Sequence, residues 1–141
     1  MTELNASVKE FFDRYERANT EFNVERIAAL YADVFMFGDP RGIQSIKKED
    51  FVRVLPRRKE FFKSVGLVSS KLDSLEATQL DSKYVLAKVV WRMRFESSTR
   101  EPLESLNSTT YILSAVGDSF QVVFQIDHQD LMKKVQDFGL K

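Results

Sequence analysis

The sequence predicts an α+β domain, with helices first and a sheet of long antiparallel strands after them. Three observations carry this. Apolar residues recur at helical spacing up to Val65. From Leu67 the period changes to two. Short polar turns then join strand to strand, which favours antiparallel neighbours.

Residues 3–22 place Leu4, Val8, Phe11, Phe12, Tyr15, Ala18 and Phe22 on one stripe of an amphipathic helix. Tyr15 lies on that stripe, so its hydroxyl needs a partner in the core or at a pocket rim. Asn23 suits the cap of a second helix over residues 24–32, with Tyr31 on its buried side. A short strand follows, ending at Asp39-Pro40. Residues 41–44 read as a loop, and Ser45 as the cap of a helix over 46–65 that Pro56 should kink or split. The cluster Arg57-Arg58-Lys59 reads as a solvated face of that helix, since Glu60 interrupts it and no Gly-rich loop adjoins it.

Strands are expected over 68–80, 84–97 and 103–115, with a last one starting at Phe120. The second is the clearest: Val85, Ala87, Val89, Trp91, Met93 and Phe95 alternate with polar residues. The third is unusually polar, with Ser105, Asn107 and Thr109 on the face it shares with Tyr111. The last places Phe120, Val122, Phe124, Ile126 and His128 together. A short C-terminal helix is expected over 129–138. A curved sheet wrapped around one long helix leaves a conical cavity. No repeat or linker interrupts residues 1–141, so a single domain is expected.

Composition narrows the function classes. Lys+Arg and Asp+Glu both number 21, and zero net charge argues against a nucleic-acid or anionic-membrane partner. Without cysteine there is no thiolate nucleophile and no Cys-based zinc site. One His and no H-E-x-x-H pattern leave no expected metal centre, and no cofactor is implied. No G-x-S-x-G elbow is present for serine hydrolysis. Asn107-Ser108-Thr109 matches a glycosylation sequon, but it lies inside an expected strand. The N-terminus shows no basic region followed by an apolar run, and no apolar stretch reaches membrane-span length. A cytoplasmic location is expected.

The short strand carries the candidate chemistry. Alternation puts Phe35, Phe37 and Asp39 on one face. A carboxylate among aromatic rings has its charged form disfavoured, which raises its pKa and suits it to act as a base. Asp39-Pro40 also reads as the start of a solvated turn.

The element order, with Ala29-Leu30-Tyr31-Ala32-Asp33 followed by Phe37-Gly38-Asp39-Pro40, resembles the NTF2-like superfamily. That superfamily includes SnoaL-like cyclases, scytalone dehydratase and ketosteroid isomerase. The resemblance covers nearly the whole chain and implies a cone-shaped, cystatin-like fold with helices packed on a curved sheet. Ketosteroid isomerase is similar at two functional places: its oxyanion-binding tyrosine falls on Tyr15, and its catalytic aspartate on Asp39. Its second, acidic donor falls near Thr109, a departure that counts against steroid isomerisation.

The resemblance therefore implies a cup with Asp39 as base, and with Tyr15 and Asn107 or Thr109 polarising a carbonyl. Phe35, Phe37, Trp91 and Phe124 would line it, and His128 would stand at its rim. The expected ligand is an apolar small molecule bearing a carbonyl, turned over by an isomerase-, cyclase- or dehydratase-type proton transfer. The alternatives are a non-catalytic ligand-binding protein and a dimerisation or association module. A homodimer is expected through the outer sheet face, where Tyr84, Leu86, Val90 and Leu106 would otherwise lie exposed.

Overall fold

The computed structural model describes residues 3–98, 100–130 and 133. Three helices come first or lie among the early strands: α1 (Glu3–Glu21), α2 (Val24–Ala29) and α3 (Lys48–Ser64). The strands are β1 (Tyr31–Asp39), β2 (Gly42–Lys47), β3 (Leu67–Gln79), β4 (Tyr84–Ser97), β5 (Arg100–Val116) and β6 (Ser119–Asp127). They form one six-stranded sheet in the order β2-β1-β6-β5-β4-β3. All neighbours are antiparallel except β1 and β6, which run parallel. The expected α+β class holds.

The helical stripe read for α1 is the one that is buried. Val8, Phe11 and Phe12 are fully enclosed, and they join Val85, Ala87, Val89, Tyr111, Leu113 and Val122 from the sheet in one core. The Phe12 ring lies 4.8 Å from that of Tyr111. Helix α1 packs chiefly on β3, and α3 touches β1, β2 and β3. A smaller cluster of Phe62, Val65, Met93 and Phe95 holds the end of α3 to the sheet. Burial of so many large side chains, at about 1.5–3 kcal/mol each, drives the assembly.

Four local expectations need correction. The second helix stops at Ala29, and Tyr31 opens β1 rather than closing the helix. Residues 42–47 are a strand, because Asp39 pairs with Gly42 across a two-residue hairpin and the pairing runs on to Lys47. Ser45 therefore caps nothing, and α3 starts at Lys48 with no side-chain cap. Pro56 neither splits nor ends α3, which is assigned as one helix from Lys48 to Ser64. The helix expected over 129–138 lies largely outside the described residues.

The fourth correction reshapes the sheet's inner face. Leu113 pairs with Val122, but Ile112 pairs with Phe124, so Val123 is an extra residue in β6. Such a β-bulge shifts the alternation by one. Val122 and then Gln125 are buried. Phe124 and Ile126, expected inside, share the outer face with Met36 and Gly38 of β1, their register partners.

Gly66 closes α3 with φ +91, and an added Cβ would sit 2.2 Å from the Glu96 carbonyl oxygen. The Gly66 carbonyl in turn accepts the Glu96 N–H at 2.8 Å. Gly66→Ala should therefore lower stability by about 2 kcal/mol or more, the scale of left-handed strain plus a backbone clash. The midpoint of urea denaturation measures it.

Candidate functional site

A cavity of about 370 Å³ opens on the inner face between the two apolar clusters. Its floor includes Trp91 and Met93 of β4, Asn107 and Thr109 of β5, and Gln125 and Asp127 of β6. Helix α1 contributes Tyr15, and α3 contributes Leu55 and Phe62. Tyr15 stacks on Trp91 with ring centroids 5.4 Å apart.

A chain of hydrogen bonds runs through this wall. Trp91 Nε1 donates to the Tyr111 hydroxyl at 3.1 Å, and Tyr111 donates to Tyr15 at 3.2 Å. The Tyr15 and Tyr31 hydroxyls are 2.6 Å apart, and Tyr31 donates to Gln125 Oε1 at 2.7 Å. Gln125 Nε2 donates to Asp127 Oδ1 at 3.2 Å, and Thr109 Oγ1 donates to the same oxygen at 3.2 Å. Among the described residues no buried side-chain nitrogen or oxygen lacks a partner.

Burial holds the tyrosines in their neutral form. It raises the pKa of Tyr15 above the ordinary tyrosine value, and those of Tyr31 and Tyr111 well above it. The Asp127 charge adds to the rise at Tyr15 and Tyr31, while the Arg58 charge opposes it. All three hydroxyls are thus proton donors at neutral pH. Asn107 is buried beside Ser105 and Met93, with its Nδ2 3.1 Å from the Met93 sulfur.

Of the residues expected in the cup, Tyr15, Trp91, Asn107 and Thr109 line this cavity. Asp39 does not. It ends β1 at the hairpin, where it accepts the Arg41 backbone N–H at 2.9 Å and the Arg41 guanidinium at 2.9 Å. Arg41 also reaches Asp130 at 3.9 Å. The expectation of a raised pKa reverses: the Arg41 side chain, foremost, holds the Asp39 carboxyl below its ordinary value. The cation that matters stands two residues away in the hairpin loop, not on a neighbouring strand.

Phe35 also leaves the cup. It is buried against Tyr31 and Phe51, with ring centroids 4.6 and 5.3 Å away, and serves as core. Phe37 stands beside Asp39 and Arg41 in a separate surface hollow near the hairpin. The bulge turns Phe124 outward. His128 is exposed, with Nε2 2.6 Å from Thr110 Oγ1, away from the cavity lining.

Sequence reasoning missed Tyr31, Gln125 and Asp127 as parts of the site. Tyr31 had a signal, its place in the quoted Ala29–Asp33 motif. Gln125 and Asp127 had none, because the alternation count runs across the bulge.

Helices packed on a curved sheet, with a part-polar, part-apolar cavity between them, define an α+β domain with a cystatin-like fold. The family profile described as NTF2-like protein (DUF6841) matches residues 3–130, and the chain belongs to that family. Solved structures agree on the fold. The protein Aln2 from a Streptomyces species superposes with a TM-score of 0.74 at 14% identity, covering 95% of this chain and 96% of that one. A Catenulispora acidiphila protein in complex with S-DNPA gives 0.73 at 16% identity, covering 95% and 98%. A ketosteroid isomerase-like protein from Erwinia carotovora atroseptica gives 0.66 at 12% identity, covering 92% and 98%. No curated protein matches the chain. Among the described residues, no helix is long and apolar enough to cross a membrane.

Asp39→Asn should cost up to about 1 kcal/mol near neutral pH, the ceiling for an exposed ion pair. The Asp39 pKa is depressed in the folded chain, so its contribution is present above the unfolded value of about 4 and is lost as pH falls through the lower folded value. Denaturation midpoints of the two proteins, followed from pH 7 to pH 2, should converge.

Proposed function

We propose that the cavity binds an apolar small molecule with a carbonyl group and moves a proton beside that carbonyl. Asp127 is the base and Tyr15 the donor. One observation carries this reading: a carboxylate and a neutral, buried tyrosine hydroxyl line the same apolar cup and are joined through Tyr31 and Gln125.

The step follows from those groups. Asp127 takes a proton from the carbon next to the carbonyl. The C–H electron pair becomes a C=C bond, and the carbonyl π pair moves to oxygen. A hydrogen bond from Tyr15 stabilises the charge that develops there. Tyr31 gives its one proton to Gln125, so the Tyr15 proton rests on Tyr31 and is the one a bound carbonyl draws to itself. Where a C=C bond of the ligand is conjugated with the new enolate, return of the proton to its far carbon isomerises the ligand. Where a second carbonyl lies in reach, attack of the α-carbon on it closes a ring, and the resulting alkoxide takes the proton back from Asp127. The likeness in fold to a ketosteroid isomerase-like protein, and to a protein solved in complex with S-DNPA, supports a small-molecule ligand.

The probe is 2-tetralone, an apolar ketone with exchangeable protons next to its carbonyl. The protein should accelerate their exchange in D2O, followed by NMR. Asp127→Asn should slow that exchange by about 100-fold or more, and Tyr15→Phe by a smaller factor. Exchange unchanged in Asp127→Asn overturns the assignment of the base. Binding without any exchange supports the non-catalytic pocket protein instead.

We further infer that a second copy covers the outer sheet face. The register aligns Leu86, Ile112, Phe124 and Met36 in one row across β4, β5, β6 and β1. Leu106, opposite Arg92, is 56% exposed on the same face, and Tyr84, opposite Ser114, lies toward its other end. Light scattering should give a dimer for the natural chain and a monomer for Leu106→Arg. A natural chain that stays monomeric at high micromolar concentration contradicts the inference.

A further inference from the structure

Three cations stand at the outer edge of the cavity. Arg58, Lys59 and Lys63 line it together with Leu55 and Phe62, all from α3. Positions 55, 58, 59, 62 and 63 recur every three or four residues, so they form one helix face. The face is apolar near the sheet, where Leu55 and Phe62 are buried, and cationic where it meets solvent.

Two of these cations are held over rings of the same cavity. The Arg58 guanidinium lies 5.0 Å from the Phe62 ring centroid, and the Lys59 ammonium 4.5 Å from that of Phe22. Such contacts favour a placed head group over a freely waving one. The Arg58 charge is felt inside, where it eases ionisation of Tyr15 and Tyr31.

The carboxylates of the cavity have other partners. Glu16 Oε1 accepts the Leu72 backbone N–H at 2.7 Å. Asp127 accepts from Thr109 and Gln125. Among the described residues, no ion pair engages Arg58, Lys59 or Lys63.

We propose that this α3 face is an anion subsite, and that the ligand is a monocarboxylic acid whose apolar ring system fills the cup while its carboxylate meets Arg58, Lys59 and Lys63. The proposal deepens the pocket reading above and rests on it. The charge inventory selects the head group. Three cations oppose two carboxylates in the lining, a surplus that matches one negative charge. A volume of about 370 Å³ fits a two- or three-ring acid.

The probes are 2-naphthoate and its neutral isostere 2-naphthamide, titrated by calorimetry into the full chain at low and at high salt. The acid should bind about 10-fold tighter than the amide at low salt, the scale of one or two charge-assisted hydrogen bonds, and salt should erode that margin. The variant Arg58→Gln/Lys59→Gln/Lys63→Gln should lose the preference and keep its affinity for the amide. All three side chains are exposed, so the fold should survive, and the single variant Arg58→Gln should move the ratio the same way by less. Equal binding of acid and amide overturns the anion subsite and leaves the pocket standing. So does a preference that persists in the triple variant. Failure of both probes to bind overturns the pocket reading and this inference with it.

Discussion

The need to satisfy buried hydroxyls governs this molecule. Tyr15, Tyr31 and Tyr111 come from a helix and two strands, and their oxygens meet within 2.6 and 3.2 Å. One such bond adds only about 1 kcal/mol net, but an orphaned buried hydroxyl costs about 1–3 kcal/mol. Moving α1 along the sheet would therefore leave several groups unpaired at once. The chain locks α1 to β1, β4, β5 and β6, and the lock fixes where Tyr15 stands relative to Asp127.

Much of the fold was legible, and for one reason: burial imposes periodicity. The α1 stripe and the alternation of β4 appear in the sequence because each inward position sees the same apolar core. The polar face of β5 was legible too, and Ser105, Asn107, Thr109 and Tyr111 are all buried. What escaped was whatever breaks period or lies in pairing. The strand β2 is almost wholly exposed, so no burial pattern marks it. It exists because β1 offers it a register.

The site was legible in part, and the errors share a cause. Alternation puts Asp39 on the face of Phe35 and Phe37, and the regular pairing of β1 with β2 keeps it there. A strand is longer than a cavity, however. Its middle is core and its end reaches solvent, so neighbours on one face need not share an environment. The basic cluster on α3 is the converse case. Arg57-Arg58-Lys59 looks like one solvated patch when read consecutively, yet only Arg58 and Lys59 of the three line the cavity. Helical spacing with Leu55 and Phe62 separates them from Arg57.

The extra residue in β6 has a bearing on how such cups diverge. Val123 shifts the inner positions from Phe124 and Ile126 to Gln125 and Asp127. With regular pairing the same letters would line the cup with an aromatic ring and a branched aliphatic chain, and would turn the amide and the acid outward. No point mutation exchanges so much at one stroke. In a lineage, losing or gaining a single codon at this place would convert a greasy socket into one with an acid, or back again. Sequences that align letter for letter across such a shift would then carry opposite chemistry in the same architecture, and gap placement in β6 becomes a reading of pocket character.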